Sequence, residues 1–317
     1  MNNIIFKSET IKGETIEACC VINKHDKAKN YQSMKTDNTS TNLAEPLNPQ
    51  FGMSRCYSQP FINVISLGAG KQSSYMLLTA LEGAYKFKPD FAIFSDTGCE
   101  PDYVYSYVTW LKDFVKIKYG FDIVIVSAGN IVEDTLNYLE GKRSRVASLP
   151  LRLSGNGGLI MRQCTNDYKI APLRKYLQSI RNESKIRLWI GISLDEIERI
   201  KDSSVKYIEN YYPLIEKQVR IDRIIHWFSE NGMREPGKSA CLICPFHSDN
   251  YWKMFKKQFP DEFEKACQFD DAIRNYPNLK RQTYLSKHLK PLREIDFSMQ
   301  PSLFPELIEE CNGLCGL

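Results

Sequence analysis

The segment from Phe61 to Leu81 constrains the fold more than any other part of the chain. It begins with FINVISL, an apolar, β-branched run of strand length, continues with GAGKQSS, and ends with YMLLTAL, whose apolar residues follow helical spacing. A strand, a glycine-bearing loop and a helix in this order can cradle phosphate groups, because N–H groups at the helix start point towards the ligand. The alternative is a glycine turn that only joins a strand to a helix.

The residues of this loop narrow the kind of phosphate site it can form. We expect Gly68 and Gly70 to permit positive φ and a close approach of the ligand. Ser73 and Ser74 add hydroxyl and N–H groups at the positive end of the helix. A Walker A loop is excluded, because an isoleucine stands five positions before Gly70 and Gln72 follows the lysine. The three-glycine dinucleotide motif matches only in part, because Ser73 occupies its third position.

Strand and helix patterns alternate along the chain beyond the loop. This alternation predicts an α/β fold with a doubly wound, mostly parallel sheet, whose ligands bind beside the carboxyl ends of the strands. The Gly68 loop, Asp96 and Ser193 should therefore lie on one edge of the sheet. The predicted strands are 61–67, 90–95, 121–127 and 186–193, and predicted helices follow the loop and cover 102–118, 131–140, 165–181, 212–231 and 249–273, with a break at Pro260.

Asp96 follows the second predicted strand at the edge where a ligand would bind. A carboxylate there can accept a hydrogen bond from a ribose hydroxyl, as acids do at comparable positions in nucleotide-binding sheets. The alternative is an aspartate that caps the next helix or braces a turn.

Composition separates the chain into three parts. Residues 1–58 are predicted to be a poorly ordered polar leader, because residues 24–50 have little to bury. Residues 59–200 form the predicted nucleotide-binding domain, and 201–317 form a helical part with a Cys-x-x-Cys motif and a cysteine-bearing tail. We expect a cytoplasmic protein, because no apolar run approaches the roughly 18–20 residues of a membrane span and the N-terminus lacks an apolar signal-peptide core.

Positive charge is concentrated between residues 141 and 163. The net charge of the whole chain is +4, which does not by itself require a nucleic-acid partner. The segment fits either a lid over an anionic ligand or a contact with a nucleic-acid backbone, and the alternative is a solvated loop. Its basic residues are Lys142, Arg143, Arg145, Arg152 and Arg162.

The cysteines indicate a metal or cluster site. Ten cysteines in a cytoplasmic chain favour thiols, a metal or a cluster over disulfides. Cys241 and Cys244 form a Cys-x-x-Cys motif, which can hold one metal ion or two corners of an iron–sulfur cluster. Cys164 lies at the predicted start of a helix, where the N-terminus stabilises a thiolate. A redox dithiol and packed thiols are the alternatives.

These motifs together resemble a known enzyme family. The stretch from Ser66 to Ser73 is similar to the Ser-Gly-Gly-Lys-Asp-Ser loop of PP-loop enzymes, the adenine nucleotide α-hydrolases, with Gln72 in place of the aspartate. Cys164, the following Lys-Ile-Ala-Pro-Leu-Arg and the later Cys-x-x-Cys resemble the PAPS reductase family of that superfamily. The Asp-Thr-Gly of residues 96–98 is also similar to a family segment. The tail 310–317 is similar to the family's Glu-Cys-Gly signature, with Asn312 inserted.

The resemblance implies an adenine-nucleotide site and a nucleophile. ATP or a sulfonucleotide would bind at the loop, with magnesium as an accompanying ion. Arg199 would face a phosphate or sulfate, the alternative being a surface pair with Asp195. The implied catalytic residues are Cys311 and Cys315 on a mobile tail, together with Lys71. The implied nucleotide-binding residues are Ser66, Gly68, Gly70, Lys71, Gln72, Ser73, Ser74, Asp96 and Arg199.

The resemblance also implies a metal centre held by Cys164, Cys241 and Cys244. Cluster-bearing members of the family hold a four-iron four-sulfur cluster with a Cys-Cys pair and a Cys-x-x-Cys, and zinc held by the same residues is the rival. Here Gln163 replaces the first cysteine of the pair, so a fourth ligand is missing. The candidates for the fourth position are His247, Cys99, a C-terminal cysteine, or an open site for substrate or sulfide.

Three functions remain open at this stage. The first is an ATP-dependent enzyme that cleaves ATP at the α-phosphate and modifies a tRNA or DNA base or a small molecule, with a sulfur or electron donor protein as a further partner. The second is a sulfonucleotide reductase with a C-terminal cysteine nucleophile. The third is a metal-stabilised binding or regulatory protein without catalysis. Gln72 and the altered tail weaken the second, and the basic segment favours a nucleic-acid substrate for the first.

Overall fold

The computed structural model describes residues 5–11, 14–20, 61–155 and 157–297. The chain divides into two compact units, 1–56 and 57–317. In the first unit, strands β1 (Ile5–Ile11) and β2 (Glu14–Cys20) pair antiparallel. The polar stretch 24–50 and the tail with Cys311 and Cys315 lie outside the described residues.

The second unit is built on a five-stranded parallel sheet. Its order is β5-β4-β3-β8-β9, and every neighbouring pair is parallel. The predicted α/β class with a doubly wound parallel sheet is therefore confirmed. The chain runs outwards from β3 in both directions, so the switch point of the topology lies between β3 and β8. The five strands are β3 (Phe61–Leu67), β4 (Phe91–Asp96), β5 (Ile123–Ser127), β8 (Lys185–Ile190) and β9 (Ile208–Tyr211).

The helices lie close to their predicted positions. The predicted helix 165–181 is a π-helical turn, Asn166–Ile170, that continues into an α-helix with Pro172 in its first turn. The predicted 212–231 region is two helices separated by residues 217–220, and the predicted break at Pro260 is present. The helices are α1 (Lys71–Leu81), α2 (Asp102–Tyr119), α3 (Ile131–Leu139), α4 (Ala171–Ile180), α5 (Pro213–Glu216), α6 (Ile221–Glu230), α7 (Asp249–Gln258) and α8 (Pro260–Ala272).

Both faces of the sheet are covered by helices. Successive strand residues point to opposite sides and therefore pack into different cores. Ile65 packs into a core with α1, α2 and α6, whereas its neighbour Val64 packs into a core with Leu173 and Leu177 of α4. A third, aromatic core joins α7 and α8 around Trp252. The carboxyl edge of the sheet is thereby left for loops, which is where a ligand site can form.

A small antiparallel sheet was not predicted. It has the order β10-β6-β7, formed by Thr283–Tyr284, Arg152–Leu153 and Gly158–Leu159. Strands of two residues are too short to give a periodic signal. This sheet places the segment before Cys164 against the C-terminal part of the unit. Among the described residues, no helix combines the length and apolar character needed to cross a membrane.

Candidate functional site

The Gly68 loop has the predicted position but a different backbone conformation. It follows β3 directly, and α1 begins at Lys71. The positive φ lies at Ala69, at 57°, and not at either glycine; Gly70 is extended, with φ −93° and ψ 178°. Neither glycine uses the positive φ that its lack of a side chain permits. Gly68 is exposed, and a Cβ there would meet nothing closer than Ser73 Oγ at 3.7 Å, so this glycine leaves open space beside the loop.

Gly191, for which the sequence predicted no packing role, brings the end of β8 against this loop. It follows β8 by one residue, and a Cβ at this position would lie 2.9 Å from both Cα and N of Ser73. No side chain fits in that space without a shift of the backbone. The close approach joins the two strand ends at the topological switch point. A signal was available in the GIS sequence after the strand, since an isolated glycine there is typical of close backbone contact.

Gln72 joins the loop to the segment after β8. Its side-chain Nε2 donates to Ser193 Oγ and to Glu196 Oε2, each at 2.8 Å. Glu196 in turn forms an ion pair with Arg199. The alternative pairing of Arg199 with Asp195 is not formed, because Asp195 pairs with Arg220 at 3.2 Å and is hydrogen-bonded by Ile221 N.

Among the described residues, the Arg199 guanidinium forms an ion pair through Nη1 with Glu196. Its side chain is 17% exposed, and its buried Nε has no hydrogen-bond partner in the described part of the chain. An unpartnered buried donor is costly unless a ligand satisfies it. The arrangement therefore leaves Arg199 able to bind an anion in the adjacent cavity.

A short segment, 235–239, crosses the loop from the other side. Glu235 forms an ion pair with Lys71, and Ser239 Oγ donates a hydrogen bond to the Gly68 carbonyl oxygen. Gly237 packs against Tyr103, where a Cβ would lie 2.6 Å from ring atom Cε2. We call residues 235–239 the strap. The strap supplies the carboxylate that balances Lys71 in this conformation.

A large cavity opens beside the loop, the strap and α7. Its volume is about 1290 Å³. The predicted residues Ser66, Gly68, Gly70, Lys71, Gln72, Ser73 and Arg199 line it. The carboxylates that line it are Asp202 and Glu235. Its basic lining residues are Lys71, Lys169, Arg174, Arg199, Lys201, Lys238, Lys253 and Lys257. This excess of positive charge favours an anionic ligand.

Two predicted nucleotide-binding residues do not line this cavity. Ser74 is fully buried, and its N–H donates to the Gly70 carbonyl oxygen within the first turn of α1. Asp96 uses Oδ1 to accept from Gly98 N at 2.8 Å and from Tyr105 OH at 2.9 Å. The carboxylate therefore braces the turn after β4. Gly98 has φ 69°, and a Cβ there would lie 2.7 Å from Asn130 Cα, so the turn packs closely on the start of α3.

Cys164, Cys241 and Cys244 line one small cavity of about 30 Å³. Cys164 lies in a helical turn two residues before the π-helical region, and the other two cysteines lie on the turn before α7. The same cavity is lined by Arg162 and Lys169, whose positive charge suits thiolates. Lys169 also lines the large cavity, so the two cavities adjoin.

Buried groups around Cys241 form a polar cluster. Its sulfur lies 3.3 Å from Thr97 Oγ1 and 3.6 Å from Glu100 Oε1, and the same carboxylate oxygen lies 3.4 Å from Lys169 Nζ. Glu100 Oε2 is buried without a partner among the described residues. Burial, aided by Glu100, raises the pKa of the Cys241 thiol well above its usual value. Cys99 is buried beside this cluster, and burial, with Glu100 nearby, raises its pKa to about 12.

His247 lies outside the cysteine cavity. Its ring stacks on Tyr251 at a centroid distance of 3.8 Å, and Nε2 lies 2.9 Å from the Cys241 carbonyl oxygen. Burial, together with the charge of Lys238, lowers its pKa to about 3, so the imidazole is neutral. The imidazole therefore supports the backbone of the Cys-x-x-Cys turn.

Cys164, Cys241 and Cys244 are thiol donors of the kind that hold zinc or an iron–sulfur cluster, and all three line the same small cavity. Within 61–155 and 157–297, no group of three or more His, Cys, Asp or Glu side chains is placed so that it could hold a metal ion in this conformation. The small cavity is comparable to the volume of about one water molecule.

The basic connection between residues 141 and 163 is largely satisfied internally. Arg143 pairs with Asp134, Lys142 pairs with Glu140, and Arg152 Nη2 donates to the Pro245 carbonyl oxygen at 3.3 Å. Arg162 bonds to Thr165 Oγ1. The positive charge of the site comes instead from Lys169, Arg174, Lys201, Lys238, Lys253 and Lys257, which the sequence analysis did not assign. Lys169 and Arg174 belong to the Lys-Ile-Ala-Pro-Leu-Arg motif, so the sequence could have assigned these two residues to the site.

Comparisons with known proteins add a fold similarity at low identity. No protein-family model matches the sequence, and no curated protein matches it. Among solved structures, the chain is similar to the U34-tRNA thiolase NcsA from Methanococcus maripaludis with its 4Fe-4S cluster. The identity is 17%, the match covers 83% of each chain, and the TM-score is 0.39. Similarity at this level assigns no role to any residue of this chain.

Proposed function

We propose that this protein is a PP-loop enzyme that binds ATP at the Gly68 loop and cleaves it at the α-phosphate to activate a second substrate for sulfur-linked modification. The observation that carries the proposal is the large cationic cavity at the switch point of a parallel sheet, with the Gly68 loop at its wall and the cysteine cavity next to it.

The residues of the cavity suit the charge of a nucleotide. A phosphate on the loop would replace Glu235 at Lys71 and would satisfy the unpartnered Nε of Arg199. Both cations then neutralise charge on the phosphate chain, which is the main requirement of phosphoryl chemistry. The first turn of α1 adds backbone N–H groups at its positive end.

The reaction proposed has two steps. An oxygen of the second substrate attacks the α-phosphorus, the bond to the bridging oxygen breaks, and pyrophosphate leaves with its electron pair. A sulfur nucleophile then attacks the carbon that bears the adenylated oxygen, and AMP leaves. The role of Lys71 and Arg199 is to bind and orient the phosphates; the source of sulfur is a thiol or sulfide donor.

Cys164, Cys241 and Cys244 would hold an iron–sulfur group or a zinc ion. Such a group, when bound, would supply sulfur ligation or Lewis acidity beside the nucleotide. Lys169 lines both the cysteine cavity and the large cavity, so a group held by the three cysteines would lie one side chain away from the nucleotide site. The three-ligand set leaves one coordination position open, which is typical of catalytic sites.

The products of ATP turnover test the proposal. ATP labelled at the α-phosphate is incubated with the protein alone, with unfractionated tRNA and with denatured DNA, and the products are separated. We expect AMP and pyrophosphate, and a loss of at least about tenfold in Lys71→Ala, because one charge-assisted contact is worth roughly 1.5–3 kcal/mol. Lys112→Ala, an exposed change on α2, is the matched control. ADP and phosphate as products, or equal rates in both variants, would contradict the proposal.

The sulfonucleotide-reductase alternative predicts a different product. It requires sulfite release from PAPS and loss of that release when Cys311 and Cys315 are both changed to serine. Both residues lie outside the described part of the chain, so this alternative rests on the sequence resemblance alone.

A further inference from the structure

We propose that the mouth of the large cavity binds the phosphodiester backbone of a nucleic acid through Lys201, Lys253 and Lys257. The inference rests on the proposed function, because it makes the nucleic acid the second substrate of the same site. We call these three residues the rim lysines.

The volume of the large cavity is greater than one small ligand needs. Its volume of about 1290 Å³ exceeds the range of roughly 300–1,000 Å³ that is usual for small-molecule sites. The loop, the strap, Arg199, the segment 201–204 and α7 all contribute residues to its wall. A nucleotide on the Gly68 loop therefore leaves room in the remaining part.

Exposure divides the basic lining residues into two sets. Lys71, Lys169, Arg174, Arg199 and Lys238 are partly buried in the wall, whereas the three rim lysines are exposed. Partly buried cations suit a small anion that is removed from water. Exposed cations suit a ligand that remains partly in solvent while it passes over the mouth.

Among the described residues, the rim lysines have no ion-pair partner. Lys71 pairs with Glu235 and Lys169 pairs with Glu100, but no carboxylate in 61–155 or 157–297 lies within ion-pair distance of Lys201, Lys253 or Lys257. One exposed lysine binds a free phosphate weakly, because solvent screens the interaction. Several of them bind a polyanion well, because each contact releases a counterion from it.

Helix α7 fixes the direction of two rim lysines. Lys253 and Lys257 are one helical turn apart and therefore share a face, together with Met254 and Asn250, which also line the cavity. The opposite face is buried through Trp252 and Phe255. Successive cations at this spacing follow an extended chain of phosphates.

Lys256 supplies a matched control on the same helix. It is exposed like Lys253 and Lys257, but it does not line the cavity, and its Nζ lies 5.5 Å from the centre of the Phe263 ring. A charge reversal at this position changes the net charge of the protein by the same amount. It does so on a face that points away from the mouth.

The test is nucleic-acid binding by the full-length protein as a function of salt. Fluorescence anisotropy is measured with a fluorescein-labelled RNA stem–loop and with single-stranded DNA of the same sequence, for wild type, Lys253→Glu, Lys257→Glu and Lys256→Glu. We expect each of the first two variants to weaken binding roughly threefold to tenfold and to reduce the salt slope by about one. Lys256→Glu should remain within about twofold of wild type.

Two results would overturn the inference: equal weakening by Lys256→Glu, or no binding of either probe by the wild type. Comparison of the RNA and DNA affinities shows which backbone the protein prefers. A preference for either one supports the inference. ATP cleavage is measured in parallel. If AMP forms but the lysine variants bind like wild type, the inference fails and the proposed function stands. If the lysine effect is present but no AMP forms with any substrate, the proposed function fails.

Discussion

Gln72, Glu196 and Arg199 form a chain of contacts that crosses from the loop after β3 to the segment after β8. In the PP-loop enzymes that the loop resembles, an aspartate stands at the position of Gln72. An amide there cannot act as a carboxylate, but it can donate, and its Nε2 donates to the carboxylate of Glu196. Gln72 therefore has a structural role in this chain, because it contacts the carboxylate that holds Arg199.

This chain of contacts gives a prediction for Glu196. We expect Glu196→Ala to raise the KM for ATP about tenfold while kcat changes less, because Arg199 loses its anchor and a charged contact is worth roughly 1.5–3 kcal/mol. The KM for ATP of Glu196→Gln should lie between those of wild type and Glu196→Ala, since the glutamine keeps one acceptor oxygen for Gln72. Steady-state kinetics measure both, and Glu198→Ala, an exposed neighbour, is the control. The same KM in Glu196→Ala and Glu198→Ala would contradict the role.

Some residues of the large cavity could be predicted from the sequence and others could not. Ser66, Lys71 and Ser73 could be placed at the cavity because they belong to one continuous motif. Lys201, Lys238 and Lys253 could not, because they come from three separate segments whose proximity depends on tertiary packing. Asp96 illustrates a second limit. The sequence left open whether its carboxylate accepts a hydrogen bond from a ribose or braces a turn, and the structure shows it accepting from Gly98 N and Tyr105 OH.

At the scale of elements, the strand–loop–helix unit was predictable because its signals are local. The apolar run, the small loop residues and the apolar helix face agree with one another from residue 61 to residue 81. Strand β9 had no comparable signal, because IENY in 208–211 has only four residues and mixed polarity. The strap was also unpredictable, since it has no regular structure and is held by Glu235, Gly237 and Ser239.

The contact between β8 and α1 gives a prediction for Gly191. We expect Gly191→Ala to destabilise the protein by about 1–3 kcal/mol, because the new methyl group would collide with backbone atoms of Ser73 that cannot rotate away. The same shift should weaken ATP binding. Urea denaturation measures the first effect and isothermal titration with ATP measures the second.

Gly158→Ala is the control for this change. A Cβ at Gly158 would lie 3.5 Å from Leu153 Cδ1, which is an ordinary contact with a flexible side chain. If Gly191→Ala unfolds at the same urea concentration as wild type, the close approach between Gly191 and Ser73 is not a constraint in solution.

At the scale of the whole molecule, the cysteine cavity is assembled from distant parts of the chain. Cys164 lies in the turn that leads towards α4 and packs against the aromatic core, and Cys241 and Cys244 precede α7, which belongs to that core. A metal or cluster bound to all three would link these parts, and its binding energy would add to the stability of the folded state.

Metal content and thermal stability test this linkage together. After anaerobic purification, we expect iron with acid-labile sulfide, and we expect Cys164→Ser and Cys241→Ser to lose it and to lower Tm by several degrees. Cys267→Ala, a change in the aromatic core, should retain the metal. Zinc in place of iron would make the cysteine set a single-ion site, and the absence of any metal would rule out the three-cysteine site.

The position of Lys169 has a consequence for how the two cavities act on each other. Its ammonium group pairs with Glu100, which also accepts from Cys241, and the Lys169 side chain lines both cavities. Negative charge brought into the large cavity competes with Glu100 for the same cation, so occupancy of one cavity alters the affinity of the other. Thermodynamic reciprocity then requires a group held by the thiols to change nucleotide affinity by the same factor as the nucleotide changes the affinity for that group.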